Sequence, residues 1–100
     1  MSKDYSEILR RDLVGSKLKE WRENANLSQA ETAKQLEYSS PQFISNWERG
    51  ISLPPLEVLP KLMKLYGISA DALTKIMYEY QEQQLAYQHS LLIDALKLNS

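Results

Sequence analysis

A chain of 100 residues, of which 43% are hydrophobic and 25% charged, has the length and composition of one small soluble domain. The absence of cysteine excludes disulfides, thiol nucleophiles and thiolate metal ligands, and a single histidine, His89, is too few for an ordinary zinc site. A net charge of −1 excludes the strongly basic composition of many nucleic-acid-binding proteins, so any such function must depend on where the charges are placed.

The chain carries no sequence signal for a membrane or for export. No run of about 18 apolar residues occurs, and the first residues, MSKDYSEILRR, lack the apolar segment of a secretory signal peptide. We therefore expect a cytoplasmic protein that makes no contact with a membrane. No grouping of histidine and acidic residues indicates a metal or cofactor site, so neither is expected.

Turn signals alternate along the chain with stretches whose apolar residues are three or four positions apart, and strand-like alternation is missing. The fold class is therefore predicted to be all-α. Residues 1–14 are charged and only weakly periodic, which indicates an arm or a short extra helix. We expect the globular domain to span residues 15–76 and a helical extension to span residues 77–100.

The first helix of the domain is predicted to begin after Gly15, in the sequence GSKLKEWREN. Ser16 is a suitable N-cap, and Leu18 and Trp21 lie one turn apart on the side expected to face the core. The segment ANL that follows ends this helix.

The second helix, SQAETAKQLE, has the clearest start signal in the chain. Ser28 at the N-cap and Glu31 three residues later match the capping box, in which each side chain bonds to the other residue's backbone N–H. Ala30, Ala33 and Leu36 are expected to be buried.

Ser40, Pro41 and Gly50 mark the limits of the third helix. Ser40 can cap it, and Pro41 suits the first helical position because its missing N–H costs nothing there. Gly50 can adopt the left-handed conformation that ends a helix. Ile44 and Trp47 are expected to face the core.

One polar face runs along this third helix. Its side chains follow the i, i+3, i+4, i+7 spacing of a single helix face. They are Gln42, Ser45, Asn46 and Arg49. We expect this face to point outward, away from the core.

The fourth helix, LEVLPKLMKLYG, contains a proline that should interrupt it. If the helix starts at Pro55, Pro60 lies inside it and is expected to kink it or to split it into two short pieces. Gly67 ends the helix. The apolar side chains expected in the core are Leu56, Leu59, Leu62, Met63 and Tyr66.

The last helix has Ser69 as its N-cap and meets no glycine or proline before Ser100, which allows about 28 residues and a length of about 42 Å. Its first turns, with Ala72, Leu73 and Ile76, are expected to close the core. Residues at alternating spacings of four and three then indicate a coiled-coil seam. The members of this predicted seam are Leu73, Met77, Tyr80, Gln84, Tyr87, Leu91, Asp94 and Leu98. The alternative is a surface helix that carries aromatic residues by chance.

The segment from Leu18 to Ile76 resembles the lambda-repressor-like family of helix-turn-helix DNA-binding domains, also called Cro-type or XRE-type. The matching text, in order, is LKEWRENANLSQAETAKQL, FISNWERG and PLEVLPKLMKLYGIS, and it covers about 60 of the 100 residues. The resemblance implies a five-helix domain whose third helix lies in the major groove of DNA while the second crosses the phosphate backbone. It also implies base contacts from Gln42, Phe43, Ser45 and Asn46.

The residue chemistry at these positions agrees with base recognition. The amide of Gln42 or Asn46 offers one acceptor and two donors, which matches the N6 and N7 edge of adenine. A partly exposed Phe43 ring could pack on a thymine methyl group. We therefore expect half-sites that contain A·T pairs.

Other residues are assigned to the DNA backbone or to the fold. The resemblance implies that Gln29 bonds a phosphate and braces the third helix, with Ser28 sharing that phosphate at a helix N-terminus, where free N–H groups attract an anion. It also implies that Arg22 and Glu48 form a structural salt bridge between the first and third helices. Further candidates for phosphate contact are Lys17, Lys19, Lys34 and Arg49, with Arg10 and Arg11 if the N-terminus acts as an arm.

The sequence departs from the family pattern at the turn between the second and third helices. One residue more than usual lies between Leu36 and Ser40, and Pro41 stands where many members carry a polar base-reading residue. We therefore expect the third helix to sit rotated or shifted, which alters the details of base readout.

The leading interpretation is a sequence-specific transcriptional regulator, a repressor or an activator, that binds double-stranded DNA as a homodimer through the C-terminal helix. A dimer is expected because one nearly neutral domain binds DNA weakly, and its two-fold symmetry predicts a palindromic operator with half-sites roughly 34 Å apart. The alternative is a protein-interaction module, such as the antitoxin of a toxin–antitoxin pair or a helix-turn-helix adaptor. No phosphate-binding loop or catalytic triad is recognisable, so an enzyme is not expected.

Overall fold

The computed structural model describes residues 12–98 of the chain. These residues contain no strand and form five α-helices and one 3₁₀ helix. The helices are α1 (Leu13–Asn24), α2 (Gln29–Gln35), α3 (Gln42–Glu48), α4 (Leu59–Tyr66) and α5 (Ala70–Leu98), and the 3₁₀ helix is Leu56–Val58. The all-α fold class, with five helices of which the last is extended, is confirmed. Most of the arm predicted for residues 1–14, including Arg10 and Arg11, lies outside the described residues.

One apolar core joins the helices. α1 packs against α3, α4 and α5, and α2 packs against α3. Leu18, Ile44 and Leu62 are at most 2% exposed. The buried apolar side chains are Val14, Leu18, Ala33, Leu36, Ile44, Trp47, Val58, Leu62, Tyr66, Leu73 and Ile76. The core therefore draws on every α-helix, and only the first turns of α5 contribute to it.

α1 begins at Leu13, whereas the sequence predicts a start after Gly15 with Ser16 as the N-cap. Ser16 lies within the first turn, and its hydroxyl donates a hydrogen bond of 3.2 Å to the carbonyl oxygen of Leu13. The helix reaches back this far because Val14 is 1% exposed and joins the core, which favours a helical turn over an exposed arm. The N-cap prediction is wrong, and the boundary predicted after residue 14 falls inside α1.

The capping box that starts α2 is confirmed. The backbone N–H of Glu31 donates to Ser28 Oγ at 3.0 Å, and the backbone N–H of Ser28 donates to Glu31 Oε1 at 3.1 Å. The hydrogen bond from the Ser28 backbone lowers the pKa of Glu31, because it stabilises the charged carboxylate. Ala33 is buried as expected, but Ala30 is exposed. Thr32 is buried in its place, and its hydroxyl donates to the carbonyl oxygen of Ser28 at 3.0 Å.

α3 begins at Gln42, one residue later than predicted, so Pro41 stands at the N-cap and not at the first helical position. The hydroxyl of Ser40 accepts a hydrogen bond of 3.3 Å from the backbone N–H of Gln42. Gly50 has a φ of +78°, the left-handed conformation expected at the end of the helix. Ile44 and Trp47 are buried, so the inward face of α3 is the one that the sequence predicts.

Pro60 splits the predicted fourth helix into two pieces. The 3₁₀ helix forms before it, and Pro60 is the second residue of α4, where its missing N–H is not needed. Leu62 and Tyr66 are buried as expected, whereas Leu56 is 80% exposed and does not join the core. The reason is that the 3₁₀ turn presents Val58 to the core instead.

α5 continues well past the domain that it closes. Its 29 residues correspond to about 43 Å, and the hydroxyl of Ser69 accepts the backbone N–H of Ala72 at 3.1 Å, as expected of an N-cap. Leu73 and Ile76 are buried in the core. From residue 77 to residue 97 no side chain is buried. The helix is therefore longer than the core can cover, as the sequence predicts.

Candidate nucleic-acid interface

The polar side chains of α3 form one hydrogen-bonded network on its outer face. Asn46 Oδ1 accepts from Gln42 Nε2 and from Arg49 Nη2, each at 2.9 Å. Arg49 Nε donates to Ser45 Oγ at 3.2 Å. The side chains are exposed or half-exposed, so the structure brings together the face that helical spacing predicts.

This network determines which groups the face offers to a ligand. Because Asn46 Oδ1 already accepts two hydrogen bonds, the groups that Asn46 keeps for a ligand are the two N–H donors of its side-chain amide. Gln42 keeps its carbonyl oxygen and one N–H, so it can both accept and donate. Donors and acceptors on short planar arms are the groups that read base edges in the major groove.

Phe43 adds an apolar element beside this polar face. Its ring is 48% exposed and stacks on Tyr38, with 4.9 Å between the ring centroids and 25° between the planes. The rings of Tyr38 and the buried Trp47 also pack edge to face, with 5.7 Å between their centroids. The exposed Phe43 ring is thus held in place by contacts that lead back to the core. Sequence reasoning did not identify Tyr38, because its position depends on the path of the turn before α3.

The turn between α2 and α3, which is one residue longer than usual for the family, contains a residue with a left-handed backbone conformation. Glu37 has a φ of +63°, which is uncommon for a residue with a side chain. The backbone N–H of Tyr38 then donates to the carbonyl oxygen of Ala33 at 2.9 Å, which closes the end of α2. The longer turn therefore places Tyr38 next to the start of α3.

A buried ion pair ties α3 to α1. Arg22 Nε lies 2.6 Å from Glu48 Oε2, and Arg22 Nη2 donates to Glu48 Oε1 at 3.0 Å. The hydrogen bond to Glu48 raises the pKa of Arg22. Arg22 Nη1 donates to the carbonyl oxygen of Leu27 at 2.7 Å, and Gln29 Nε2 donates to Glu48 Oε1 at 2.9 Å. These bonds join Arg22 of α1, Gln29 of α2 and Glu48 of α3 in one cluster of side chains.

The candidates for phosphate contact have different surroundings. Lys34 lines a groove of about 510 Å³ that runs between α2 and the start of α3, together with Tyr38 and Pro41. Lys17 is half-exposed and lies 3.3 Å from Glu20 in a surface ion pair. Ser28, Lys19 and Arg49 are exposed, and Gln29 is half-buried beside Glu48. Lys34 therefore lies in a groove that borders the residues just before α3.

Two further properties concern the described part of the chain. Across residues 12–98, no helix has the length and apolarity needed to cross a membrane. Within that same range, no group of three or more histidine or acidic side chains is arranged to hold a metal ion.

Comparison with known proteins identifies the family. A family model described as "Helix-turn-helix" matches residues 18–73, more than half of the chain, from α1 to the first turn of α5. Searches of curated proteins and of solved structures find no significant match. The matched segment contains the paired helices α2 and α3 and the buried ion pair that joins α3 to α1. The chain belongs to the lambda-repressor-like, XRE-type helix-turn-helix family, a family of DNA-binding regulators.

Proposed function

We propose that this protein is a sequence-specific transcriptional regulator of bacterial or phage type, which inserts α3 into the major groove of its operator. The observation that carries the proposal is the outward hydrogen-bonded face of Gln42, Ser45, Asn46 and Arg49. Occupation of the operator would repress or activate transcription without a cofactor. This activity places the protein in the cytoplasm, where it has access to DNA.

Base contacts are assigned to one side of α3. Gln42 accepts and donates, which suits the N6 and N7 edge of adenine, and Asn46 donates to an acceptor such as a purine N7. Phe43 packs on a thymine methyl group, and Ser45 contacts the neighbouring base edge. The assignment favours half-sites that contain A·T pairs.

Contacts to the DNA backbone are assigned to α2 and to the ends of the face. Gln29 and Ser28 share one phosphate, and Lys34 reaches the backbone from the groove beside α3. Lys17 contributes a further phosphate contact, since its surface ion pair with Glu20 can be exchanged for a phosphate at small cost. Arg49 contributes another through the N–H groups that it does not use for Ser45 and Asn46. With a net charge of −1, the protein must obtain its affinity from this local placement of charge.

Homodimerisation supplies the affinity that one domain lacks. Residues 77–100 extend past the DNA-binding domain of residues 15–76, and exposed apolar side chains along α5 support self-association through this extension. A two-fold dimer presents two copies of α3 about 34 Å apart, which matches a palindromic site with about 10 base pairs between half-site centres.

Replacing Gln42 or Asn46 with alanine should relax sequence recognition. Each change removes amide contacts to one base pair, for which we expect a loss of about 1–3 kcal/mol in binding the selected operator, or roughly 5- to 150-fold in Kd. The measurement is a selection from random duplexes with the wild type and each variant, followed by titration of the selected site. The motif should lose information at a different position in each variant.

Gln81→Ala is the matched control, because Gln81 is exposed on α5, far along the chain from α3. It should return the wild-type motif. A motif that survives both Gln42→Ala and Asn46→Ala without change would show that the base-reading residues are assigned wrongly.

Salt titration should separate phosphate contacts from the other polar contacts. Lys34→Gln and Arg49→Gln should each reduce the slope of log Kobs against log[salt] by about 0.9, because each removes one released counterion. Lys75→Gln, which removes an exposed lysine of α5, should leave the slope as it is. An unchanged slope in Arg49→Gln with an altered selected motif would instead restrict Arg49 to holding Asn46 and Ser45.

A second candidate function is a protein-interaction module, such as an antitoxin or an adaptor. It is favoured by the exposed apolar side chains of α5, among them Leu85 at 68% and Tyr78 at 63%. This function predicts a stoichiometric protein partner that co-purifies with the chain. A regulator that acts alone should purify as a homodimer.

A further inference from the structure

α5 exposes a row of apolar side chains that differs from the seam predicted by the sequence. This apolar stripe consists of Tyr78, Leu85, Leu92 and Leu96, which are 63%, 68%, 55% and 61% exposed. At about 100° per residue, the four side chains fall within about 40° of one another around the helix. They follow one another at seven, seven and four residues, the spacing of a heptad row.

The predicted seam lies elsewhere on the same helix. Its central members Tyr80, Gln84 and Tyr87 are centred about 135° away from the apolar stripe. These three side chains are all half-buried, whereas every member of the apolar stripe is exposed. Of these two faces, the stripe therefore exposes its side chains more fully to a partner.

We infer that two copies of this chain associate by pairing α5 with α5 through the apolar stripe, in an antiparallel orientation. The inference rests on the proposed function, because it specifies the dimer that the regulator needs. A second copy is the occupant that the side chains on this face favour, for the reasons of register and charge that follow.

The polar residues of the stripe decide the orientation. Glu82 and His89 lie between the apolar members and complete the alternation of four and three, from Tyr78 to Leu96. In a parallel pair in register, Glu82 faces Glu82 of the second copy and His89 faces His89. Like carboxylates at the centre of a helical pair repel each other, so the parallel arrangement is disfavoured.

An antiparallel pair removes this conflict. With the two-fold axis level with position 87, Tyr78 of one copy faces Leu96 of the other, Glu82 faces Leu92, and Leu85 faces His89. All three pairs are centred on position 87, so a single two-fold axis relates them. Each polar side chain then packs its stem on a leucine while its polar end reaches solvent. Eight large apolar side chains, four from each copy, are covered in this arrangement.

Engineered cysteines test the orientation directly, because these 100 residues contain no cysteine. The Tyr78→Cys and Leu96→Cys variants of the full chain are purified separately, and a sample of each is oxidised alone. A third sample is prepared by mixing the two variants under reducing conditions, and it is then oxidised in the same way. Positions 78 and 96 are 18 residues apart, or about 27 Å along the helix, far beyond the reach of a disulfide. The antiparallel pair predicts at least tenfold more disulfide-linked dimer in the mixture than in either variant alone. Equal cross-linking of a single variant by itself, or no cross-linking in any sample, would overturn the inference.

The choice of face has its own test. Leu85→Glu in the apolar stripe should raise the dimer dissociation constant at least tenfold in sedimentation experiments. Leu91→Glu, on the predicted seam and 42% exposed, is the matched control and should leave that constant unchanged. Circular dichroism shows whether both variants stay helical. A Leu85→Glu protein that dimerises like the wild type, or a wild type that stays monomeric at every concentration, would contradict the inference.

The two proposals can fail separately, because neither of these experiments contains DNA. If the protein pairs through the stripe but binds no duplex, the proposed function is wrong and the proposed interface stands. If the protein selects an operator but cross-links in the parallel orientation, the proposed function stands and the proposed interface is wrong.

Discussion

A Glu48→Ala variant should lose about 3–5 kcal/mol of the free energy of unfolding, because it leaves the guanidinium of Arg22 buried without its counter-charge. Arg22 is 8% exposed and Glu48 is 7% exposed, so water cannot replace the lost partner in full. Three hydrogen bonds end on this carboxylate, two from Arg22 and one from Gln29. A domain of this size has only about 5–15 kcal/mol of total stability, so the variant should be close to unfolding.

Urea denaturation followed by tryptophan fluorescence measures this loss, since Trp47 lies one residue from Glu48 in the core. The raised pKa of Arg22 means that the group adds stability at every pH below its ordinary pKa and loses this contribution only as the pH rises through the folded value. That window lies far above neutrality. The cost of Glu48→Ala should therefore be the same between about pH 6 and pH 9.

Two control variants identify the cause of the loss. Glu23→Ala removes an exposed carboxylate from α1 and should cost less than about 0.5 kcal/mol. The double variant Arg22→Met with Glu48→Leu removes both charges and should recover most of the stability, because no buried charge is left unpaired. A Glu48→Ala protein as stable as Glu23→Ala would show that the ion pair contributes little to the fold.

Local chemistry explains why much of the fold could be predicted from the sequence. The capping box of Ser28 and Glu31, the left-handed Gly50 and the split at Pro60 each depend on residues within a few positions of one another. In these three cases tertiary packing does not override the local signal. These signals define the helix boundaries well enough to predict that Ile44 and Trp47 lie in the core and that the polar side chains of α3 face outward.

The predictions failed at positions whose structure depends on packing against elements that are distant in the sequence. The start of α1 depends on the burial of Val14, which no local signal indicates. Ala30 and Leu56 have helical spacing but lie on turns that face away from the core. Tyr38 reaches Phe43 only through the left-handed turn at Glu37, whose conformation is not encoded by a glycine.

The seam predicted along α5 differs from the apolar stripe for a related reason. Its heptad spacing starts at Leu73, a core residue, and therefore marks the face that the domain itself uses. Exposure separates the two faces, since Leu85 is 68% exposed and Tyr80 is half-buried. The seam and the stripe have the same heptad spacing, so spacing alone cannot choose between them.

The other large effect is expected at Gly15, where α1 meets the end of α3. A β-carbon at this position would overlap the carbonyl oxygens of Trp47 and Glu48 and would lie 2.7 Å from the carbonyl carbon of Glu48. The atoms it meets are backbone, which cannot rotate away as a flexible side chain can. The carbonyl of Trp47 also accepts the N–H of Gly50 at 3.2 Å, so a displaced α1 would disturb the C-terminal cap of α3.

Gly15→Ala should therefore destabilise the protein by about 1–3 kcal/mol through overpacking. Helix propensity predicts the opposite sign, since alanine is favoured over glycine inside a helix by about 1 kcal/mol. Urea denaturation of Gly15→Ala beside Lys19→Ala, an exposed position of the same helix, separates the two effects. If Gly15→Ala unfolds at a higher urea concentration than the wild type, then α1 and α3 do not approach as closely as the structure has them. If Gly15→Ala is destabilised as expected, the variant should also bind the selected operator more weakly, because the contact at Gly15 sets the orientation of α3 relative to α1.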